Sequence, residues 1–308
     1  MTRSFPADHK AFAGLNVQMV TVGNAAEQMA VHVRGALGPG RVPLVCVAGY
    51  TRNMADWGGL ARQFAPALET TPLVLVDLKG RGRSTDRRRT SRYSSVADAA
   101  DVAEVMRALA IERAIFAGQG HGGQVLMALA AATPGLVAGT VLIDAGPVSD
   151  SRGLVRLRVS LTELMGVRGE ASLKPMLRRM AAADYPDQPD TALDALALRS
   201  HFVDRRGRLQ ALFDPALIKL LEPFDLDDVL VPQWQLFDAL QVAPLLMLRT
   251  QLTQQLRRET LEEMMRRRRD AEAYVIEHQG SPALLDTAGD VEPILAFVRQ
   301  VTGGRQAA

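Results

Sequence analysis

The stretch FAGQGHGG, residues 116–123, decides how the rest of this sequence is read. The apolar run Ala114-Ile115-Phe116-Ala117 ends in a glycine-rich corner, and a helix-like run, Gln124 to Ala130, follows at once. A corner of this kind lifts the side chain at its apex into a pocket above the end of a sheet. Here the apex is Gly120, which has no side chain to lift.

Working outward, strand and helix signals alternate. Leu15 to Val22 and Gln28 to Arg34 open as strands, and Val42 to Val47 is a short apolar strand. Ala55 to Leu68 places Leu60, Phe64 and Leu68 at helical spacing, and Pro72 to Leu78 returns to strand. Ser95 to Ile111 reads as a helix capped by Ser94 or Ser95. Strand Arg113 to Ala117, helix Gly123 to Ala132 and strand Val137 to Ile143 follow. From about Pro147 to Leu240 helical runs dominate (Leu154 to Met165, Leu173 to Ala183, Ala192 to Phe202) with almost no strand signal. The alternation resumes with strand Pro244 to Arg249, helix Arg258 to Arg269, strand Ala273 to Glu277 and helix Val291 to Val301. The pattern predicts an α/β fold: a mostly parallel, eight-stranded sheet flanked by helices. The expected division is a core over 1–146 and 241–308, with an inserted helical cap over 147–240.

The composition excludes several classes. The chain has 308 residues, 47% of them hydrophobic, enough for a large core. A net charge of +2 gives no global reason to bind nucleic acid or a membrane surface. The single Cys46 lies in an apolar run, which excludes an internal disulfide and a cysteine metal cluster. No segment reaches the ~18 apolar residues of a membrane span, and the first residues lack the apolar centre of a signal peptide. The expectation is a cytoplasmic protein with no metal and no cofactor.

Local stretches sharpen the fold. AGYTRNMADW follows the third strand, VDLKGRGRS the fourth, GQGHGG stands at the corner, and LIDAGP follows the sixth. Together with the cap between the sixth and seventh core strands, these resemble the α/β-hydrolase superfamily, its ester- and C–C-cleaving branch, over nearly the whole chain. The resemblance implies a nucleophile at the centre of G-x-S-x-G, then an acid, then a histidine. In that chemistry the hydroxyl attacks, the imidazole takes its proton and the carboxylate orients the imidazole. The matching positions here are Gly120, Gln254 and Ser281, so all three members are replaced. In its G-x-G-x-G corner the chain is similar to the N-myc downstream-regulated proteins, which share the fold without accepted hydrolase activity.

The resemblance also implies an oxyanion hole made by the backbone N–H groups of Tyr50 and His121. A pocket lined by Tyr50, Gln119, His121 and Trp234 is expected beneath the cap. The expected partner is a small organic molecule, with self-association as a homodimer left open. Two enzymatic alternatives stand beside a binding protein. One is a lyase, isomerase or cyclase that uses His121; the other is a hydrolase with a relocated base at His278. Asp144 and His201 read as structural or packing residues. The basic run Arg266 to Arg269, mixed with Glu262, Glu263 and Asp270, reads as a solvated face. GRGRS at 80–84 lacks the lysine and spacing of a phosphate loop.

Overall fold

The computed structural model describes residues 9–23, 27–88 and 93–303. Residues 1–8, part of the stretch read for a leader, lie outside them.

In chain order the strands are β1 Gln18–Thr21, β2 Gln28–Arg34, β3 Leu44–Val47, β4 Leu73–Val76, β5 Ala114–Gln119, β6 Val137–Ile143, β7 His201–Val203, β8 Leu209–Ala211, β9 Leu245–Thr250 and β10 Glu272–Ile276. The α-helices are α1 Gly58–Gln63, α2 Ser95–Ala108, α3 His121–Ala132, α4 Ser151–Met165, α5 Glu170–Ala182, α6 Asp190–Leu198, α7 Ala216–Lys219, α8 Trp234–Asp238, α9 Arg258–Arg267 and α10 Ala288–Gly303. Eight strands form one sheet in the order β1-β2-β4-β3-β5-β6-β9-β10. The β1–β2 and β2–β4 pairs are antiparallel; the remaining pairs are parallel. The expected mostly parallel, eight-stranded sheet is what the chain builds.

Strand periodicity splits the core into two layers. Side chains alternate across a strand, so Val45, Val47, Val74, Val76 and Phe116 pack with α2, α3 and α9 on one face. Leu44, Cys46, Leu73, Leu75 and Ile115 pack with α1 and α10 on the other. Both faces are covered, which is why the central strands are buried at every position and mostly apolar.

The elements between β6 and β9 lie outside the eight-stranded sheet, in the segment expected as the cap. It is mostly helical, but β7 and β8 form a small antiparallel hairpin. The sequence extends the helix that ends at Leu198 as far as Phe202; three-residue strands are too short to register as alternation. Likewise, the single helix expected over 55–68 divides into a 3-10 turn at Met54–Trp57, α1, and a second turn at Ala65–Ala67, with Pro66 opening the latter. The Arg266–Arg269 run is only partly solvated. Arg268 is buried, donating to the carbonyls of Leu240 at 2.8 Å and Ala243 at 3.1 Å.

Candidate functional site

β5 ends at Gln119 and α3 begins at His121, so the corner turns on Gly120 alone. Gly120 has φ 50° and ψ −114°, a region that side chains with a Cβ enter only under strain. The flanking glycines answer a packing demand: a Cβ on Gly118 would lie 2.6 Å from the backbone of Gly122 and Gly123. That closeness lets α3 leave the sheet directly over the carboxyl ends of β3 and β5.

The corner has no side-chain cap. The first N–H groups of a helix have no partner inside it, and they carry the positive end of its dipole. His121 and Tyr50 both line the cavity next to Gly120. Tyr50 is fixed from both ends. Its carbonyl accepts from Arg81 Nε at 2.8 Å, and its hydroxyl donates to Leu217 O at 3.0 Å. Burial pushes the Tyr50 phenol up to about 12, so it stays a neutral donor.

The three positions expected to carry chemistry are brought together. Gly120, Gln254 and Ser281 all line one cavity of about 820 Å³ beneath the cap. The neighbour of Gln254, however, takes the central place. A Cβ built on Gly120 would collide with Oε1 of Gln255, whose amide fills the room that a side chain at the apex would use. The Ser281 side chain draws the pKa of the buried Asp144 carboxyl down. Asp144 accepts from Thr250 N at 2.8 Å and Thr250 Oγ1 at 2.7 Å. These donors hold Asp144 at φ 49°, an unusual conformation for a non-glycine residue. Burial raises its carboxyl to about 6 against these donors and the charge of Arg249.

His121 lines the cavity mouth and turns its ring to α2. Nε2 donates to Asp98 Oδ2 at 2.9 Å. Asp98 is fully buried and also binds Arg87 at 2.7 Å and Arg81 at 3.2 Å. Burial alone would raise the Asp98 carboxyl; Arg81, His121 and Arg87 outweigh it and hold it well below the usual carboxylate range. The network continues from Arg87 to Asp101 at 2.6 Å, from Asp101 to Lys79 at 3.0 Å and on to Glu27 at 2.6 Å.

Tyr50, Gln119 and His121 line the cavity as expected, but Trp234 does not. Trp234 packs against the core on α8, with Arg267 stacked 4.2 Å from its ring centroid and Phe237 edge-on at 6.0 Å. His278 is also outside: its side chain is 74% exposed and pairs with Asp187 at 3.0 Å. Among the described residues, no group of three or more His, Cys, Asp or Glu is placed to hold a metal ion. No helix among them is long and apolar enough to cross a membrane.

Residues 44–293 match the model of the alpha/beta hydrolase family. The chain belongs to this family. A crystal structure of an alpha/beta hydrolase from Novosphingobium aromaticivorans superposes with a TM-score of 0.79, at 26% identity, covering 92% of this chain and 98% of that one. The structure of E-2-(acetamidomethylene)succinate hydrolase superposes with a TM-score of 0.71, at 20% identity, over 93% and 99%, a likeness of fold. The chain is also 28% identical over 178 residues to "Putative carbamate hydrolase RutD" of Rhizobium rhizogenes. That match takes in 56% of this chain and 65% of the relative, less than two thirds of its length.

Within this hydrolase fold, two residues read from the sequence as structural or packing residues, His201 and Asp144, line the cavity. His201 sits on β7 in the cavity wall with 2% of its surface exposed. It lies far from any motif, and only the cap hairpin brings it inward. Asp144 could have been suspected, since LIDAGP ends a core strand at the level of the corner. Its coupling to Ser281, 137 positions away by their numbers (281 − 144), has no local signal.

Proposed function

We propose that this hydrolase-family protein lacks serine-hydrolase chemistry and uses its cap-covered cavity to hold a small, partly apolar organic molecule. The observation that carries this reading is the apex of the corner: Gly120 offers no hydroxyl, and the Gln255 amide stands in its place. Without a hydroxyl there, no acyl-enzyme forms at this position. Without an imidazole at 281, a water lacks the base the family would supply. The backbone donors that the family resemblance implies at Tyr50 and His121 do not depend on side chains and would hold a ligand carbonyl.

The expected result is no labelling of the purified protein by a fluorophosphonate and no turnover of p-nitrophenyl acetate above buffer. Native mass spectrometry after incubation with a metabolite extract should show a retained small molecule that raises Tm. Stoichiometric labelling, or ester or carbamate hydrolysis that survives repeated purification, overturns the reading. Carbamates belong in that trial because of the name of the RutD relative.

A second reading rests on the 2.9 Å bond between His121 and Asp98. An imidazole oriented by a carboxylate can move protons, so a lyase, isomerase or cyclase reaction at the cavity mouth is the competing enzyme. Any such turnover should collapse in His121→Ala.

A further inference from the structure

The polar side chains gathered at the bare apex are carboxamides. Oε1 of Gln255 would collide with a Cβ on Gly120, and its Cδ and Nε2 lie 3.6 and 4.0 Å from that point, so the whole amide stands over the apex. The turn after β9 carries it there: Thr253 N donates to Thr250 O at 3.2 Å, and Gln255 N donates to Thr253 Oγ1 at 3.1 Å. Gln255 is exposed, and its amide makes no hydrogen bond among the described residues. Gln124 comes to the same glycine from α3. Its backbone N–H donates to Gly120 O at 3.3 Å, and its Nε2 donates to Ser149 Oγ at 2.8 Å. Its Oε1 keeps surface open to solvent and has no partner among the described residues. The two amides belong to one patch. Leu256 packs 2.9 Å from where a Cβ on Gly146 would sit, and Arg257 binds Asp150 at 2.7 Å, so the Gln255 segment runs beside the one that carries Ser149.

The charges of the wall are committed elsewhere. Arg52 is its one arginine or lysine among the described residues, and its Nε donates to Asp56 at 2.6 Å. His121 is held by Asp98, and Asp150 by Arg257. Asp144 is 1% exposed and takes two bonds from Thr250. Asp184 packs on Gly280, with the charge of Arg156 acting on it. An ion brought to the apex would lose its water without gaining a counter-ion. A neutral group that both donates and accepts keeps its hydrogen bonds there, because each glutamine offers both roles. Leu154, Leu157, Phe224, Leu230 and Leu236 line the cavity with hydrocarbon.

We propose that the apex end of the cavity binds an uncharged carboxamide on an apolar body, its C=O and N–H met by the side-chain amides of Gln255 and Gln124. A pair of carboxamides can join through two N–H···O bonds. An ester has no N–H to give, and it leaves one of the glutamine carbonyls unpaired. The inference rests on the cavity being a ligand site, as proposed above, and names the chemistry of that ligand.

The test uses four probes with one hydrocarbon body: 4-phenylbutanamide, methyl 4-phenylbutanoate, 4-phenylbutanoate and 4-phenylbutylamine, titrated calorimetrically at pH 7.5. The amide should bind about tenfold tighter than the ester, the acid or the amine. Gln255→Leu and Gln124→Leu should each weaken the amide by about fivefold or more and leave the ester no weaker. If either variant does not fold, the order of the four probes on the unaltered protein decides. Ester binding equal to the amide, tighter binding of the acid or the amine, an amide Kd unchanged in Gln255→Leu, or binding of none of the probes overturns the proposal. Two further readouts keep the claims apart. A molecule retained in the native mass spectrum together with equal binding of amide and ester sinks the amide assignment alone. Amide preference together with fluorophosphonate labelling, or with 4-phenylbutanoate released from the amide, sinks the loss of serine chemistry alone.

Discussion

Asp98→Asn is expected to cost about 3–5 kcal/mol, the scale for breaking a buried ion pair by removing one partner. Asp98 has no exposed surface, and it neutralises Arg81, itself fully buried, and Arg87, 6% exposed. An amide keeps the shape but takes the counter-ion from buried Arg81 and leaves Arg87 with Asp101 alone. The loss should reach the site, because the same Arg81 anchors the Tyr50 carbonyl. The sign of the pH effect follows from the depressed carboxyl. Its contribution is complete above the ordinary value of 3.8 and is lost as pH falls through the lower folded value. Urea unfolding should therefore show a large gap between the two proteins at pH 7 that narrows toward pH 3. A variant as stable as the parent at pH 7 would mean that the two arginines find other partners.

Gly120→Ser should also destabilise, by about 1–3 kcal/mol for a non-glycine residue forced into this backbone region. Tm should fall by about 2–4 °C per kcal/mol for a chain of roughly this size. Two costs are combined: the strain at φ 50° and the collision with Gln255 Oε1. They separate in a Gln255→Ala background, where the side-chain collision is gone and the backbone strain remains. Gly120→Ser should still lower Tm there, by less. A Tm that stays put or rises on Gly120→Ser in the unaltered protein would remove the argument that glycine relieves this corner.

The corner was legible because its cause is local. Four glycines at 118, 120, 122 and 123 after an apolar strand admit few other structures, and the chain turns there as expected. The sheet was legible for the same reason, since short, mostly apolar runs mark strands covered on both faces. The departures have physical causes too. Trp234 reads as a pocket residue because it lies in the cap segment and is large and aromatic. It instead covers the core under Arg267, where its indole buries more apolar area than at a cavity rim. Arg268 reads as solvated within a run of arginines, yet carbonyls freed at the end of the 239–242 turn draw it inside. Gln254 and Gln255 are the same residue type side by side, and no sequence pattern could say which of the two amides turns to Gly120.

Taken alone, the chain of residues determined the order of the core strands and the bare apex at Gly120. Each follows from hydrophobic periodicity or from the absence of an atom, and neither needs a distant partner to be read. Only the folded arrangement decided that His121 belongs to Asp98, that Asp144 accepts from Thr250, and that Gln119 and His201 are buried beside the cavity. Those facts depend on burial and on contacts between residues far apart in the chain, where the cost of an unpaired polar group is set by everything packed around it.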